Sequence, residues 1–155
     1  FYPQDVELDV HAQRRPDGYY ALSKAYGEEL AAFYFHRYGL ETVSLRIGSS
    51  FPEPRNRRML HTWLSYADLD HLVARALLAK DVGHSVVYGV SDNKERWWSN
   101  RHAEHLGFAP QDSSEPFRAK VEQQPQPSAD EPGGRLQGGA FTAAGPFDNS
   151  AAAAS

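Results

Sequence analysis

The sequence predicts an α/β fold with parallel strands, because helical and strand-like segments alternate over residues 1–122. A helix over residues 18–38 precedes a strand over 42–48, and a helix from Ser65 or Asp68 to Lys80 precedes a strand over 84–91. Both strands are apolar enough to be covered on both faces. Two strands make a small sheet, so the sequence predicts the second half of a larger domain. A complete small domain with an unrecognised third strand is the alternative.

The first helix carries the strongest local signals. Asp17 is predicted to cap its beginning and Gly39 to end it. The three consecutive aromatic residues Phe33–Phe35 cannot share one face at about 100° per residue. We therefore expect this helix to bury more than one side, against a sheet and against either the core or a partner subunit.

The remaining elements are shorter. A Pro/Arg-rich loop over residues 49–58 follows the first strand. Short helices are expected near residues 100–106, ending at Gly107, and over residues 116–123. They complete the elements of the first 122 residues.

The 155 residues allow one domain and a tail. Residues 1–122 are predicted to form the domain, and residues 123–155 the tail, since the latter hold four of the ten prolines and five of the twelve glycines. Two interpretations of the tail stay open. It is either disordered, or an arm that docks Phe141 or Phe147 over a folded surface.

Composition excludes several classes of function. A net charge of −4 without a basic face gives no reason to expect nucleic acid, and no apolar run is long enough to span a membrane. No signal peptide is visible and there are no cysteines, which excludes disulfides and cysteine-bound zinc and favours the cytoplasm. His102 and His105 lack the carboxylates of a metal motif, so we expect no metal.

Tyr20 and Lys24 are the sharpest chemical signal in the chain. Spaced i and i+4, they share one face of the first helix. An ammonium beside a phenol favours the phenolate, which lets Tyr20 act as a base. The same spacing arises by chance, with Tyr20 a half-buried aromatic and Lys24 a solvated charge. Tyr19 is a weaker candidate, because the residue four positions after it is Ser23 and not a lysine.

The loop after the first strand carries the second signal. Ligands of parallel sheets bind beyond the carboxyl ends of the strands, where Ser49 and Ser50 lie. Their hydroxyls can bind substrate or cap a turn. Arg55, Arg57 and Arg58 follow. They are interpreted as a carboxylate clamp, a pyrophosphate clamp, or a solvated basic loop facing acidic neighbours such as Glu53.

Two stretches, GYYALSKAYGE and TVSLRIGSSFPEPRNRRML, resemble the extended short-chain dehydrogenase/reductase family, the NAD-dependent epimerase/dehydratases. Three more, RIGSSFPEPRNRRMLHTWLS, YGVSDNKERWW and QGGAFTAAGPF, are similar to its members that oxidise uronic acids. The resemblance implies the carboxy-terminal part of a Rossmann-type doubly wound parallel sheet. The glycine-rich, nucleotide-binding amino-terminal half is missing, as is the catalytic serine that precedes the tyrosine in this family.

The resemblance also implies a role for each candidate residue. Tyr20 would remove the proton from the C1 hydroxyl of a cyclic uronic acid, such as galacturonate or glucuronate, while hydride passes to NAD and the aldarolactone forms. Lys24 would bind the nicotinamide ribose and support Tyr20. Ser49 would contact the substrate, and Arg58 would hold its carboxylate by a two-pronged pair.

The cofactor site would be completed by backbone. Ile47 and Gly48 are expected to line the nicotinamide, beside Tyr20 and Lys24. At full length the enzyme would be a homo-oligomer. Two alternatives stay open: a nucleotide-sugar epimerase or dehydratase, although many of those carry asparagine where Ser49 lies, and an inactive fragment.

Overall fold

The computed structural model describes residues 1–143, and every structural statement below concerns these residues. In chain order the helices are α1 (Tyr19–Tyr38), α2 (Arg57–Thr62), α3 (Tyr66–Leu78), α4 (Arg118–Glu122) and α5 (Pro132–Arg135). The strands are β1 (Thr42–Ile47), β2 (Ser49–Ser50), β3 (Trp63–Leu64) and β4 (His84–Gly89). Short 3₁₀ helices cover Arg101–Leu106, Glu115–Phe117 and Gly139–Thr142.

The strands pair in parallel, which confirms the predicted α/β class. β1 pairs with β4 in a register that runs from Thr42 opposite His84 to Ile47 opposite Gly89. The crossover between them contains α3, which ends two residues before the predicted Lys80. The short strands β2 and β3 form a second parallel pair just beyond the carboxyl end of β1.

The core lies between α3, β4 and the 3₁₀ helix before Gly107. Leu72 of α3 is fully buried, and a Cβ added at Gly89 would lie 2.3 Å from its Cδ2, so the helix packs directly on the strand backbone. The other buried members of this cluster are Leu64, Val87, Ala103, Leu106 and Phe108. The sequence predicts an apolar stripe on α3 formed by Leu69, Leu72, Val73, Ala76 and Leu77. Leu69, Leu72 and Ala76 pack in this core, whereas Val73 and Leu77 are exposed.

α3 begins with the Ser65 cap rather than at Asp68. The Ser65 hydroxyl accepts the N–H of Asp68 at 3.0 Å. Asp68 is buried and serves another purpose. Its carboxylate accepts the hydroxyl of Ser91 at 2.6 Å and the backbone N–H groups of Gln111 and Asp112. The carboxylate therefore ties α3 to β4 and to the loop that leads toward α4.

α1 differs from its prediction at its beginning. Gly18, in extended conformation, occupies the cap position without a side-chain hydrogen bond, so the prediction that Asp17 caps the helix was wrong. The Asp17 side chain faces Gly138 instead, because the tail passes close to it. The predicted end is confirmed: Gly39 has a φ of 69° and donates to Phe35 at 2.8 Å.

α1 also buries less than its sequence predicts. Within the described residues none of its side chains is fully buried, because the β1–β4 pair contacts it along one side. The large apolar side chains that it leaves exposed are Tyr19, Tyr20, Leu22, Tyr26, Leu30, Phe33, Tyr34 and Tyr38. The expectation that more than one side is buried is therefore not met within these residues.

Gly48, between β1 and β2, lies where the backbone is crowded. Its N–H donates to Gly89 at 2.8 Å, and an added Cβ would lie 2.0 Å from the carbonyl oxygen of Thr62. We expect Gly48→Ala to lower the free energy of unfolding by about 3 kcal/mol, because a backbone carbonyl cannot move aside cheaply. Thermal or urea unfolding measures this loss.

Gly27 is the matched control within the same chain. It lies inside α1, and a Cβ added there meets nothing within 4 Å. Gly27→Ala should therefore raise the free energy of unfolding by up to about 1 kcal/mol, since alanine is the better helix former. Equal stability of the two alanine variants would contradict the crowding assigned to Gly48.

Candidate active site

A cavity of about 590 Å³ opens beside the carboxyl end of β1. The first turns of α1 form one wall, and residues 136–141, which we call the strap, lie along another. The lining includes the six residues to which the family resemblance gives a role: Tyr20, Lys24, Ile47, Gly48, Ser49 and Arg58. Residues far apart in the chain thus meet at the position where parallel sheets bind ligands.

Tyr20 and Lys24 occupy one face of α1, as the spacing predicted. The Lys24 Nζ lies 5.2 Å from the centroid of the Tyr20 ring, close enough for its charge to act on the phenol. Tyr20 is 69% exposed, so both a cofactor and a substrate can reach it. Tyr19 does not line the cavity. The geometry therefore favours Tyr20 over its neighbour as the reactive tyrosine.

One turn further along the same face, Glu28 fixes α1 to the strand. Its carboxylate accepts two hydrogen bonds from Arg46 of β1, both at 2.7 Å, and one from Arg14 at 2.7 Å. Burial raises the pKa of Glu28, but the hydrogen bonds from the two arginines outweigh it and hold that pKa below its ordinary value. The hydrogen bonds to Glu28 in turn raise the pKa of Arg46 above its ordinary value. This bidentate pair sets Tyr20 and Lys24 relative to residues 47–49.

Glu28→Gln is expected to destabilise the protein in a pH-dependent way. A carboxyl whose pKa is lowered by folding stabilises the fold above its unfolded value, near 4.5, and loses that contribution as pH falls through the folded value. The stability difference between parent and variant should therefore be complete at neutral pH and shrink below pH about 4.5.

Urea unfolding at several pH values measures this difference. Glu29→Gln is the matched control, because its side chain is 65% exposed and an exposed pair contributes little. An equal loss for Glu28→Gln at neutral and at acidic pH would contradict an ionised Glu28.

Arg58, in the first turn of α2, also lines the cavity. Its Nη1 donates to the hydroxyl of Ser49 at 3.1 Å, and its Nε donates to the backbone oxygen of Gln137 at 2.6 Å. The guanidinium lies 5.7 Å from the Trp98 ring centroid. Burial lowers the pKa of Arg58, and the Asp17 carboxylate opposes that shift. A partly buried cation is thus held beside a serine at the cavity wall.

The other two arginines of the loop, Arg55 and Arg57, make contacts outside this cavity. Arg55 packs over the ring of Phe51 at 4.0 Å, and Arg57 donates to the backbone oxygen of Glu122 at 2.5 Å. Glu53, considered as their acidic neighbour, pairs with Lys120 instead. Of the three loop arginines only Arg58 lines this cavity. Ser50, the second serine of the loop, does not line this cavity either. Its hydroxyl is buried and has no hydrogen-bond partner among residues 1–143.

The sequence predicts that Trp97 and Trp98 pack or cover the edge of the site, whereas it did not reveal Gln137 as a site residue. The Trp98 indole N–H donates to the Gln137 side-chain oxygen at 2.8 Å, and its ring stacks on Tyr88 at 5.6 Å. Trp98 does edge the cavity, whereas Trp97 is buried and stacks on His61. No local pattern around Gln137 signals its role, because all of its partners are distant in sequence.

Two glycines let the strap approach the cavity wall. A Cβ at Gly138 would lie 2.5 Å from an Asp17 carboxylate oxygen, and one at Gly139 would lie 2.8 Å from Arg58 Cδ. Gly139 also has a φ of 60°, which favours glycine. Phe141 lines the cavity with 64% of its surface exposed. Phe147, the other predicted docking residue, lies outside the described residues.

Two further sequence expectations concern metals and membranes. Across residues 1–143, no three His, Asp or Glu side chains are grouped so that they could hold a metal ion. His105 bonds the His102 backbone oxygen at 2.8 Å and Ser85 at 3.1 Å. None of the described helices is long and apolar enough to cross a membrane.

Parallel strands with a Tyr-x-x-x-Lys helix at their carboxyl end are the features of the extended short-chain dehydrogenase/reductase class. The chain is 64% identical to the uronate dehydrogenase of Pseudomonas putida over 148 residues, 96% of this chain and 55% of that protein. No family model matches the chain.

Solved structures agree. The glucuronic acid dehydrogenase of Chromohalobacter salexigens superposes with a TM-score of 0.89 at 47% identity, over 94% of this chain and 55% of that one. A mutant uronate dehydrogenase from Agrobacterium tumefaciens complexed with NAD superposes at 0.90 with 41% identity, over 95% and 56%. The predicted likeness to uronate-oxidising enzymes is therefore confirmed. The chain spans about half the length of these relatives.

Proposed function

We propose that this chain supplies the substrate-binding part of an NAD-dependent dehydrogenase that oxidises the C1 hydroxyl of a cyclic uronic acid to the aldarolactone. The observation that carries this proposal is one cavity with a Tyr–Lys pair on one wall and a serine-bonded arginine on another. The proposed base and the proposed carboxylate-binding arginine therefore line the same cavity. The similarity to uronate dehydrogenases supports the same substrate class.

Tyr20 is proposed as the general base. Its phenol stands exposed at the cavity wall, and Lys24 places a positive charge over the same ring. With that ammonium beside it, the Tyr20 oxygen is proposed to take the proton of the C1 hydroxyl as the C–H bond breaks. Lys24 is additionally proposed to bind the ribose hydroxyls of the cofactor, so both residues belong to the catalytic and the cofactor site.

The residues present fit a nicotinamide. Ile47 is 45% exposed at the cavity and offers an apolar surface, while Gly48 presents backbone without a side chain. When bound, NAD supplies the hydride acceptor. Ile47 and Gly48 are proposed to line its ring, in the cavity that Tyr20 also lines.

Arg58 is proposed to hold the uronate carboxylate. Its Nε and Nη1 are bonded within the protein, whereas Nη2 has no hydrogen-bond partner among the described residues. Nη2 therefore remains to donate to a carboxylate oxygen, and a two-pronged pair would take one Nη1 hydrogen from the hydroxyls of Ser49 and Thr62, at 3.1 and 3.4 Å. Ser49, bonded to the same guanidinium, is proposed to contact the substrate hydroxyls.

The enzyme as a whole is proposed to be a cytoplasmic homo-oligomer with a Rossmann-type domain. Residues 1–122 would belong to that domain, with residues 123–155 as a tail that covers the site. The strap contacts at Arg58 support the tail's position, and the exposed aromatic side chains of α1 support an oligomer. Light scattering of the complete enzyme tests the oligomer.

The proposed reaction is tested on a protein of the relatives' length. Joining the amino-terminal part of the P. putida enzyme to Phe1 gives what we call the full-length chimera. With NAD it should form NADH from galacturonate or glucuronate, release the lactone, and leave galactose and UDP-sugars essentially unchanged. Turnover of UDP-sugars with no NADH formation from uronates would contradict the proposal and favour an epimerase or dehydratase.

A further inference from the structure

Gln137 joins three separate parts of the chain around one buried amide. Its side chain is almost fully enclosed, with 3% of the residue exposed. The amide nitrogen donates to the backbone oxygens of Pro3 at 2.9 Å and Val6 at 2.6 Å. The amide oxygen accepts the Trp98 indole N–H at 2.8 Å. The side chain thus ties the strap to the amino-terminal loop and to the aromatic edge of the cavity.

The backbone of Gln137 completes this arrangement. Its N–H donates to Tyr2 at 2.8 Å, and its carbonyl oxygen accepts Arg58 Nε at 2.6 Å. The hydrogen bonds thus run from the amino-terminal loop through Gln137 to the Arg58 guanidinium. Gly139, two residues on, packs against the Arg58 stem, which confines the same side chain from another direction.

Two anchors define the plane of the Arg58 guanidinium. The Gln137 carbonyl binds Nε, and the Ser49 hydroxyl binds Nη1. A planar fork bonded at two of its nitrogens keeps one orientation, which is what a two-pronged pair with a planar carboxylate requires. Removing the Nε anchor would leave a guanidinium free to rotate about its last bonds.

We propose that Gln137 is the positioning residue that aims Arg58 at the substrate carboxylate. This inference rests on the proposed function. Gln137 acts through the arginine: its side chain fixes the strap, and the strap presents the carbonyl that orients the guanidinium. The effect of losing Gln137 should consequently fall on binding of the uronate and not on the proton transfer at Tyr20.

The first test is Gln137→Ala in the full-length chimera. We expect KM for galacturonate to rise about tenfold, the effect of weakening one hydrogen bond to a charged group, with kcat within about twofold of the parent and KM for NAD unchanged. Gln124→Ala is the matched control, since that side chain is exposed in the same tail, and it should leave all three parameters unchanged.

A double-mutant cycle separates positioning from a general structural role. If Gln137 acts through Arg58, then Gln137→Ala should raise KM little or not at all in an Arg58→Ala background. A purely structural contribution would lower activity by the same factor in both backgrounds. Additive effects in the cycle, or an unchanged KM in the single variant, would overturn the proposal.

Trp98→Phe provides a second route if Gln137→Ala fails to fold. Phenylalanine keeps an aromatic ring for the stack on Tyr88 but removes the N–H that Gln137 accepts. It should raise KM for galacturonate only when Arg58 is present, and an unchanged or background-independent KM would overturn the inference. If the parental chimera is inactive on every uronate, the proposed function itself is contradicted. If the chimera is active but the Gln137 and Trp98 variants leave KM for galacturonate unchanged, only the inference about Gln137 is contradicted.

Discussion

Tyr20→Phe in the full-length chimera is expected to lower kcat for galacturonate about 1,000-fold, within the range that a positioned general base contributes. Phenylalanine keeps the ring that lies beneath the Lys24 ammonium but has no oxygen to receive the C1 proton. Because the carboxylate would still be held at Arg58, KM for the uronate should change little. Steady-state rates of NADH formation measure both parameters.

Tyr19→Phe is the control for this substitution. Tyr19 precedes Tyr20 on α1 and is similarly exposed, but it does not line the cavity. Its variant should retain parental kcat and KM. A Tyr20→Phe enzyme that turns over uronates at the parental rate would remove the tyrosine from the mechanism and leave the Tyr–Lys pair without a chemical role.

The parts of the site that were predictable are those whose signal is local. Tyr20 and Lys24 lie four residues apart, so helix geometry alone places them on one face. Ser49 follows directly from the end of β1, and the sheet rule places it near the ligand. Arg58 belongs to a cluster whose members look alike in sequence, and only folding shows that Arg55 and Arg57 lead away from the cavity.

The parts that were missed depend on contacts between distant residues. Gln137 bonds Arg58, 79 residues away, and Pro3, 134 residues away, and no periodicity encodes either contact. The Glu28–Arg46 pair is similar, because each residue alone resembles an ordinary surface charge. The Gly/Pro-rich composition of the tail favoured disorder over docking, although the glycines that loosen a free chain also permit close approach.

α1 shows the opposite relation between sequence and structure. Its aromatic residues predict burial on several sides, yet the sheet of the described residues covers only one. The aromatic residues of α1 therefore indicate contacts with surfaces that lie outside the described residues. In the proposed enzyme the remaining aromatic faces of α1 are available to the rest of the domain and to a partner subunit.

Arg58→Lys is expected to raise KM for galacturonate roughly 30-fold in the full-length chimera, because the variant loses at least two hydrogen bonds involving a charged group. A lysine ammonium can reach the carboxylate but cannot at the same time satisfy the Gln137 carbonyl and the Ser49 hydroxyl in a fixed plane. Tyr20 belongs to α1 and has no hydrogen bond to Arg58 among the described residues, so kcat at saturating uronate should remain within a few-fold of the parent.

Arg55→Lys is the matched control, because Arg55 comes from the same loop but packs over Phe51 outside the cavity. It should leave KM unchanged. The decisive comparison is between a uronate and its neutral sugar. If Arg58 pairs with the carboxylate, Arg58→Lys lowers the ratio of kcat/KM for galacturonate to kcat/KM for galactose. Damage to the cavity as a whole would instead lower the activity on both sugars. An unchanged preference would remove Arg58 from substrate recognition, and with it the reason to assign a uronate to this site.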